Sequence, residues 1–171
     1  MKARQTLPLR RATSADARGI ASVHIASWQS AYRGLLPAAF LHGLDIDKRA
    51  SLYHFDGPED PVMWIAGDHI IVGFVAVSAR RHVDANDVGE IQALYVAPDR
   101  WRSGAGTLLL NKAESVLVEM GYVEASLWVF EANEGARRFY EAVGWSPEER
   151  TEILNLAGVD VTEIRYRKAL M

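Results

Sequence analysis

The chain has 171 residues, 49% of them hydrophobic, which is enough apolar material for the core of one domain of ordinary size. Its 19 Lys and Arg residues nearly balance its 22 Asp and Glu residues, and the formal net charge is -3. That balance provides no general attraction to nucleic acid or to anionic lipid. Because the chain contains no cysteine, disulfides, thiolate nucleophiles and cysteine-based metal sites are excluded.

No segment of the sequence has the length and apolarity of a membrane-spanning helix. The longest apolar run, residues 70–77, contains eight residues, whereas a spanning helix needs about twenty. The first residues, Met-Lys-Ala-Arg-Gln, do not lead into an apolar signal region. We therefore expect a cytoplasmic protein that has neither membrane nor nucleic acid as a partner. The five histidines are scattered at spacings that do not suit a shared metal ion, so no metal is expected.

Hydrophobic periodicity and turn residues predict strands and helices in mixed order along the chain. The predicted strands cover residues 7–12, 62–66, 70–77, 90–96, 125–130, 153–156 and 159–167. The predicted helices cover residues 15–32, a short stretch over 40–44, another ending near 52, then 104–121 and 133–143. Thr13, with Asp16 three residues later, is a capping-box signal for the first helix, and the polar segment 84–89 indicates a turn. Runs of strands with two helices between them favour a mixed α+β sheet.

A glycine-rich turn stands between the strand ending at Val96 and the long helix that follows. It reads Ala-Pro-Asp-Arg-Trp-Arg-Ser-Gly-Ala-Gly-Thr over residues 97–107. A helix N-terminus exposes N–H groups with partial positive charge, and glycines let a phosphate approach the main chain. A tight turn that simply needs glycine is an equally good interpretation. The P-loop pattern is missing and the third glycine of the dinucleotide fingerprint falls at Leu109, so both motifs are excluded while a pyrophosphate ligand stays open.

Two motifs resemble the GNAT family, the Gcn5-related N-acetyltransferases. The first, Leu94-Tyr95-Val96-x-Pro98-x-x-Trp101-x-x-Gly104-x-Gly106, is similar to the family's acetyl-CoA-binding signature, with Trp101 where Gln or Arg is usual. The second, Asn133-x-x-Ala136-x-x-Phe139-Tyr140-x-x-x-Gly144-Trp145, resembles its later helix. Segments 10–16 and 24–37 also resemble family members, so the resemblance covers essentially the whole chain. It implies a single GNAT domain over residues 1–171, with a mixed, mostly antiparallel sheet of six to seven strands flanked by about four helices.

The resemblance further implies an N-acetyltransferase that uses acetyl-CoA as its donor. In the family, the strand before the turn leaves backbone amides free for the thioester oxygen, here near Leu94, and for pantetheine, here at Val96. The backbone of the turn would bind the pyrophosphate. The implied cofactor-binding residues are Leu94, Tyr95, Val96, Trp101, Arg102, Ser103, Gly104, Ala105, Gly106, Thr107 and Asn133.

Direct attack of an amine on the thioester needs a base, because an alkyl ammonium has a pKa near 10, and it needs a proton donor for the leaving thiolate. The resemblance assigns the acid role to Tyr140, for which a core aromatic is the alternative. The candidate base is Glu90, which lies eleven positions before Trp101, as does the catalytic glutamate of the histone-acetylating branch. Strand alternation predicts Glu90 on the same face as Leu94 and Val96. A solvated edge carboxylate is the alternative, because many family members use no fixed base.

Trp28 and Tyr32 are candidates for the wall of the acceptor pocket, since the first helices and their loop line that pocket in the family. Aromatic residues at helical spacing are also typical of a core. The acceptor stays open between small-molecule and peptide amines, and the acyl chain length of the donor is open too. Homodimers are common in the family and are a further open alternative. The alternative to an enzyme is a non-catalytic acyl-CoA-binding module or sensor.

Overall fold

The computed structural model describes residues 7–78 and 88–171, which form one mixed sheet with helices on both faces. The strands are β1 (Leu9–Arg11), β2 (Val62–Ala66), β3 (Gly73–Ser78), β4 (Val88–Val96), β5 (Glu124–Phe130), β6 (Ser146–Leu156) and β7 (Val159–Ala169). The α-helices are α1 (Ala17–Ala31), α2 (Ala38–His42), α3 (Ile46–Ala50), α4 (Ala105–Glu119) and α5 (Glu134–Ala142). The sheet order is β1-β2-β3-β4-β5-β7-β6, and only β4 and β5 run parallel. The expected mixed, mostly antiparallel α+β architecture is confirmed, with seven strands.

The two faces of the sheet bury separate sets of apolar residues. On one face, Leu109 and Leu117 of α4 pack against Val75 of β3 and share a core with α5. On the other face, Ile20 of α1 packs against Phe74 of β3. All five side chains are fully buried, and each such burial contributes about 1.5–3 kcal/mol to folding. The sheet is thereby fixed between α1 on one side and α4 with α5 on the other.

The start of α1 is held by the residues that the sequence marks as its cap. The Thr13 N–H donates to Asp16 Oδ2 over 2.9 Å, and the Arg10 guanidinium donates to both Asp16 oxygens at 2.7 and 2.8 Å. The hydrogen bond from Arg10 is the main reason that the pKa of Asp16 is lowered. The capping-box prediction is confirmed at the 3₁₀ turn Ser14–Asp16 that leads into α1, and the ion pair also ties β1 to this turn.

Several predicted boundaries differ from the structure, and two of them concern β6 and β4. β6 begins at Ser146, not near residue 153, and it is the edge strand of the sheet. Its first half is polar, so no apolar alternation marks it, and an edge strand also accommodates Pro147. Of the turn expected over 84–89, residues 84–87 lie outside the described part, whereas Val88 and Gly89 already belong to β4.

A bulge in β4 changes which side chains share a face of the sheet. Ala76 pairs with Ala93, whereas Val77 pairs with Ile91, so Gln92 is an additional residue on β4. An additional residue reverses the alternation of side chains on either side of it. The side chains of β4 before the bulge therefore lie on the opposite face of the sheet from the one that strict alternation, counted back from Val96, predicts.

Candidate functional site

The two parallel strands at the centre of the sheet diverge. Their pairing begins with Val88 opposite Glu124 and ends with Glu90 opposite Ser126. Beyond that pair, β5 continues along β7 and β4 continues along β3. Within the described residues the second half of β4 has no strand on its β5 side. An opening therefore lies in the middle of the sheet, bordered by the last residues of β4.

The backbone of β4 directs alternate N–H groups into this opening. The Ala97 N–H donates to the Val72 carbonyl over 2.8 Å, so Ala97 points toward β3. In an antiparallel pair, hydrogen-bonded and non-hydrogen-bonded positions alternate. Val96 and, two residues earlier, Leu94 therefore direct their N–H groups away from β3. These are the two residues that the sequence analysis assigns to backbone binding of the donor.

The turn after β4 presents the N-terminus of α4 at the mouth of the opening. Gly104 caps the helix with φ +92°, and Arg102 has φ +61°, so two left-handed residues within three positions form the bend. The helical hydrogen bonds start with the Leu108 N–H donating to the Gly104 carbonyl. The N–H groups of the first turn consequently have no acceptor within the helix and are suited to an anion. Residues Trp101 to Gly104 are exposed, so a ligand has access to this turn.

The side chains of the turn have different roles. Ser103 Oγ lies 3.4 Å from the Ala105 N–H, as a weak cap of the helix. Gly106 faces α5, where an added Cβ would lie 3.3 Å from the ring of Phe139. Arg102 is exposed and Thr107 is half-buried. The turn thus offers mainly backbone groups, and the close contact at Gly106 brings α5 next to the mouth of the opening.

The carbonyl of Val96 receives two side-chain hydrogen bonds. Trp101 Nε1 donates to it over 2.8 Å, and Ser27 Oγ of α1 donates over 2.8 Å. The sequence analysis missed Ser27. The sequence does contain a signal for Ser27, because it falls at helical spacing on the buried stripe with Ile20 and His24. A buried hydroxyl there needs a hydrogen-bond acceptor.

Tyr140 lies on α5 with its ring buried between Phe139, Trp145 and Tyr166. Its hydroxyl makes no hydrogen bond to any residue of 7–78 or 88–171. Burial, and secondarily the neighbouring Tyr95 phenol, raise the pKa of Tyr140. The phenol therefore keeps its proton at neutral pH, which is the state that a proton donor needs.

Glu90 is buried at the point where β4 and β5 separate, at 6% exposure. The bulge places it on the face of Tyr95, whereas Leu94 and Val96 contact the α4 side. The expectation that Glu90 shares a face with Leu94 and Val96 is wrong, because strict alternation ignores the additional residue. Glu90 consequently lies on the α1 side of the sheet, and its pairing partner Ser126 lies there too.

An aromatic cluster covers the α1 side of the opening. Trp28 packs edge-on against Tyr32 with ring centroids 5.2 Å apart, and Tyr32 lies 4.7 Å from Phe130 of β5. Trp28 Nε1 donates to the Tyr95 hydroxyl over 3.0 Å. Burial raises the pKa of Tyr32. Trp28 is partly exposed whereas Tyr32 is buried, so Trp28 is the more accessible of the two candidate wall residues.

Two predicted cofactor residues have side chains engaged elsewhere. Asn133 Oδ1 accepts the Ala136 N–H over 3.1 Å and so caps α5. The ring of Tyr95 points to the α1 side and stacks on His24 with centroids 4.3 Å apart. The structure therefore brings together Leu94, Val96 and the turn, while the Asn133 side chain caps α5 and the Tyr95 ring faces α1.

Residues 7–78 and 88–171 contain neither a cluster of metal ligands nor a membrane-spanning helix. No group of three or more His, Asp or Glu side chains converges there as a metal site. No helix in that part of the chain is both long and apolar enough to span a membrane.

Comparison with known proteins agrees with this arrangement. The model of the acetyltransferase (GNAT) family matches residues 25–145. YuaI of Bacillus subtilis, described as an uncharacterised N-acetyltransferase, is 30% identical over 159 residues, which cover 91% of this chain and 89% of YuaI. An uncharacterised N-acetyltransferase of Archaeoglobus fulgidus is 33% identical over 136 residues, covering 78% of this chain and 89% of that protein.

Solved structures share the fold at low sequence identity. The PaiA N-acetyltransferase of Thermoplasma acidophilum, in complex with coenzyme A, superposes with a TM-score of 0.70 at 19% identity, over 96% of this chain and 99% of PaiA. The family match covers more than half of the chain, and the relationship to YuaI spans most of both proteins. The chain therefore belongs to the acetyltransferase (GNAT) family and is an acetyl-CoA-dependent acyltransferase.

Proposed function

We propose that this protein transfers the acetyl group of acetyl-CoA to a primary amine by direct attack on the thioester. The observation that carries the proposal is the opening between β4 and β5 with the N-terminus of α4 at its mouth. An extended thiol chain fits along the Leu94 and Val96 N–H groups, with its pyrophosphate on the first turn of α4. The Leu94 N–H is then the donor that polarises the thioester carbonyl.

The two catalytic candidates lie on opposite faces of the sheet. Tyr140 approaches from α5, on the face with α4, and Glu90 lies on the face with α1. In the proposed reaction the amine enters from the α1 side and loses a proton toward Glu90, while the departing thiolate takes the proton of Tyr140. Glu90 lies four positions before Leu94, but the bulge between them reduces the span to about 10 Å, the length of the three steps from Ser78 to Val75 on β3. We therefore assign Glu90 a role through bridging water and not through direct contact with the amine.

The acceptor would reach the thioester past the aromatic cluster. Trp28 and Tyr32, with Phe130, supply apolar surface and π faces that favour an alkyl ammonium before it is deprotonated. A cavity of about 230 Å³ lies beside Phe130 of this cluster, between the loop after α1 and the start of β7. The proposed acceptor is accordingly a small or terminal amine and not a large folded surface.

The test is thiol release by the pure protein with acetyl-CoA across a panel of small amines, amino acids, and peptides with free N-termini or lysines. We expect release that needs both substrates, with an N-acetylated product identified by mass spectrometry. Calorimetric binding of coenzyme A without turnover on the whole panel would instead favour the acyl-CoA-binding module. Absence of coenzyme A binding would refute both.

A further inference from the structure

The carbonyl of Val96, at the edge of the opening, has a complete set of side-chain donors. A carbonyl oxygen has two lone pairs. Ser27 Oγ and Trp101 Nε1 each donate to it at 2.8 Å. Ser27 is buried, with 4% exposure, and comes from a helix 69 positions away in the chain. Such a double contact fixes the orientation of the last peptide of β4.

This contact joins the three elements that border the proposed donor site. Val96 ends β4, Ser27 belongs to α1 on the acceptor side, and Trp101 belongs to the turn that leads into α4. The bond from the Trp101 indole back to Val96 closes residues 96–101 into a loop. The left-handed residues Arg102 and Gly104 follow directly, so the position of the loop determines where the first N–H groups of α4 point.

We propose that Trp101 and Ser27 are positioning residues for the acyl donor, which hold the Val96 peptide and the pyrophosphate turn in one fixed arrangement through the shared carbonyl. This inference rests on the proposed function, because it takes the turn as the pyrophosphate site. It gives Trp101 a side-chain role at a position where Gln or Arg is usual. It also means that the Val96 carbonyl is already occupied, so Val96 serves the donor through its own N–H group, which belongs to the preceding peptide.

The first test removes the indole N–H by Trp101→Phe and compares the variant with Trp64→Phe. Trp64 is a matched control, because its Nε1 is buried without a partner in the described part of the chain. We expect Trp101→Phe to raise the Kd for coenzyme A and the KM for acetyl-CoA about 2- to 12-fold, the equivalent of one hydrogen bond. The kcat should stay within about twofold, since the hydrogen bond does not reach the reacting atoms. Trp64→Phe should bind coenzyme A as the wild type does.

Rescue and coupling separate positioning from a general structural role. Trp101→Gln restores a side-chain N–H donor and should bind coenzyme A more tightly than Trp101→Phe at similar resistance to urea. Ser27→Ala with Trp101→Phe deprives the carbonyl of both donors, so the loss of affinity should exceed the product of the single losses. Ser27→Thr, which keeps the hydroxyl, should lose less affinity than Ser27→Ala.

Two results would overturn the inference. One is a Trp101→Phe variant whose Kd for coenzyme A equals that of the wild type. The other is a loss of affinity that follows urea stability and is not recovered by Trp101→Gln. Calorimetry on the wild type distinguishes this test from that of the proposed function. A wild type that binds no coenzyme A refutes the donor site itself. A wild type that binds coenzyme A, with a Trp101→Phe variant of the same Kd, refutes only the positioning role.

Discussion

His24 makes the folded protein sensitive to mildly acidic pH. Its imidazole is 9% exposed, lies 2.7 Å from the Tyr53 hydroxyl through Nδ1, and stacks on Tyr95. Its Nε2 is buried without a partner among the described residues. Burial, with a smaller contribution from Arg49, lowers the pKa of His24 to about 3. The charged form is therefore strongly disfavoured in the folded state.

The magnitude follows from linkage between protonation and folding. In the unfolded chain the ordinary pKa of His is about 6.5, so between that value and about 3 the unfolded state binds more protons and stability falls as pH falls. At pH 5 the folded state loses about 2.0 kcal/mol relative to a His that stays neutral, and at pH 7 about 0.2 kcal/mol. The contribution of His24 to the change from pH 7 to pH 5 is therefore a loss of about 2 kcal/mol.

The assay is urea unfolding at pH 7 and pH 5 for the wild type and for His24→Phe. The substitution keeps an aromatic ring against Tyr95, and the lost bond to Tyr53 is a constant offset that cancels when the two pH values are compared. We expect the wild type to lose about 2 kcal/mol more than the variant between pH 7 and pH 5. Equal losses in the two proteins would show that His24 is not held neutral by burial.

Three further predictions concern the site. Tyr140→Phe should lower kcat in the thiol-release assay about 10²- to 10⁴-fold with little change in Tm. The control Tyr122→Phe, beyond the far end of α4, should leave kcat unchanged. A Tyr140→Phe variant with the full rate contradicts the role of Tyr140 as the acid. Glu90→Gln should lower kcat at neutral pH, and its kcat should recover as the pH approaches the pKa of the amine. An unchanged pH–rate profile argues against Glu90 as a base. Gly104 has φ +92°, so Gly104→Ala should cost about 1–2 kcal/mol of stability and weaken coenzyme A binding. Gly104→Asn should lose less stability in a parallel urea titration. Equal stability of the wild type and both variants contradicts the left-handed cap.

The glycine-rich turn between β4 and α4 was predictable because local chemistry determines it. Pro98, the glycines and the apolar stripe of the following helix each mark one step from strand to turn to helix, and none depends on distant contacts. The capping signal of Thr13 and Asp16 belongs to the same class. Such features can be predicted because the residues that make them are neighbours in the chain.

Long-range geometry at the site was not predictable. The bulge at Gln92 leaves an apolar strand looking regular, because an additional residue changes the facing of side chains without changing their type. The partner of Ser27 lies 69 positions away and is a backbone atom, so no pattern of side chains in the sequence predicts it. The orientation of Tyr95 toward α1 depends on the packing of α1 on the sheet, so tertiary contacts decide it.

The short pairing between β4 and β5 has a consequence for the protein as a whole. Among residues 7–78 and 88–171, only three residue pairs join the half-sheet of β1 to β4 directly to the half-sheet of β5, β7 and β6. An extended ligand with amide groups, seated between the halves, bonds to the β4 edge as an added strand does. Its binding free energy then adds to the resistance of the fold to unfolding. In the proposed donor site the acyl donor would therefore join the two half-sheets as well as react, and we expect amide exchange at Leu94 and Val96 to slow when it is bound.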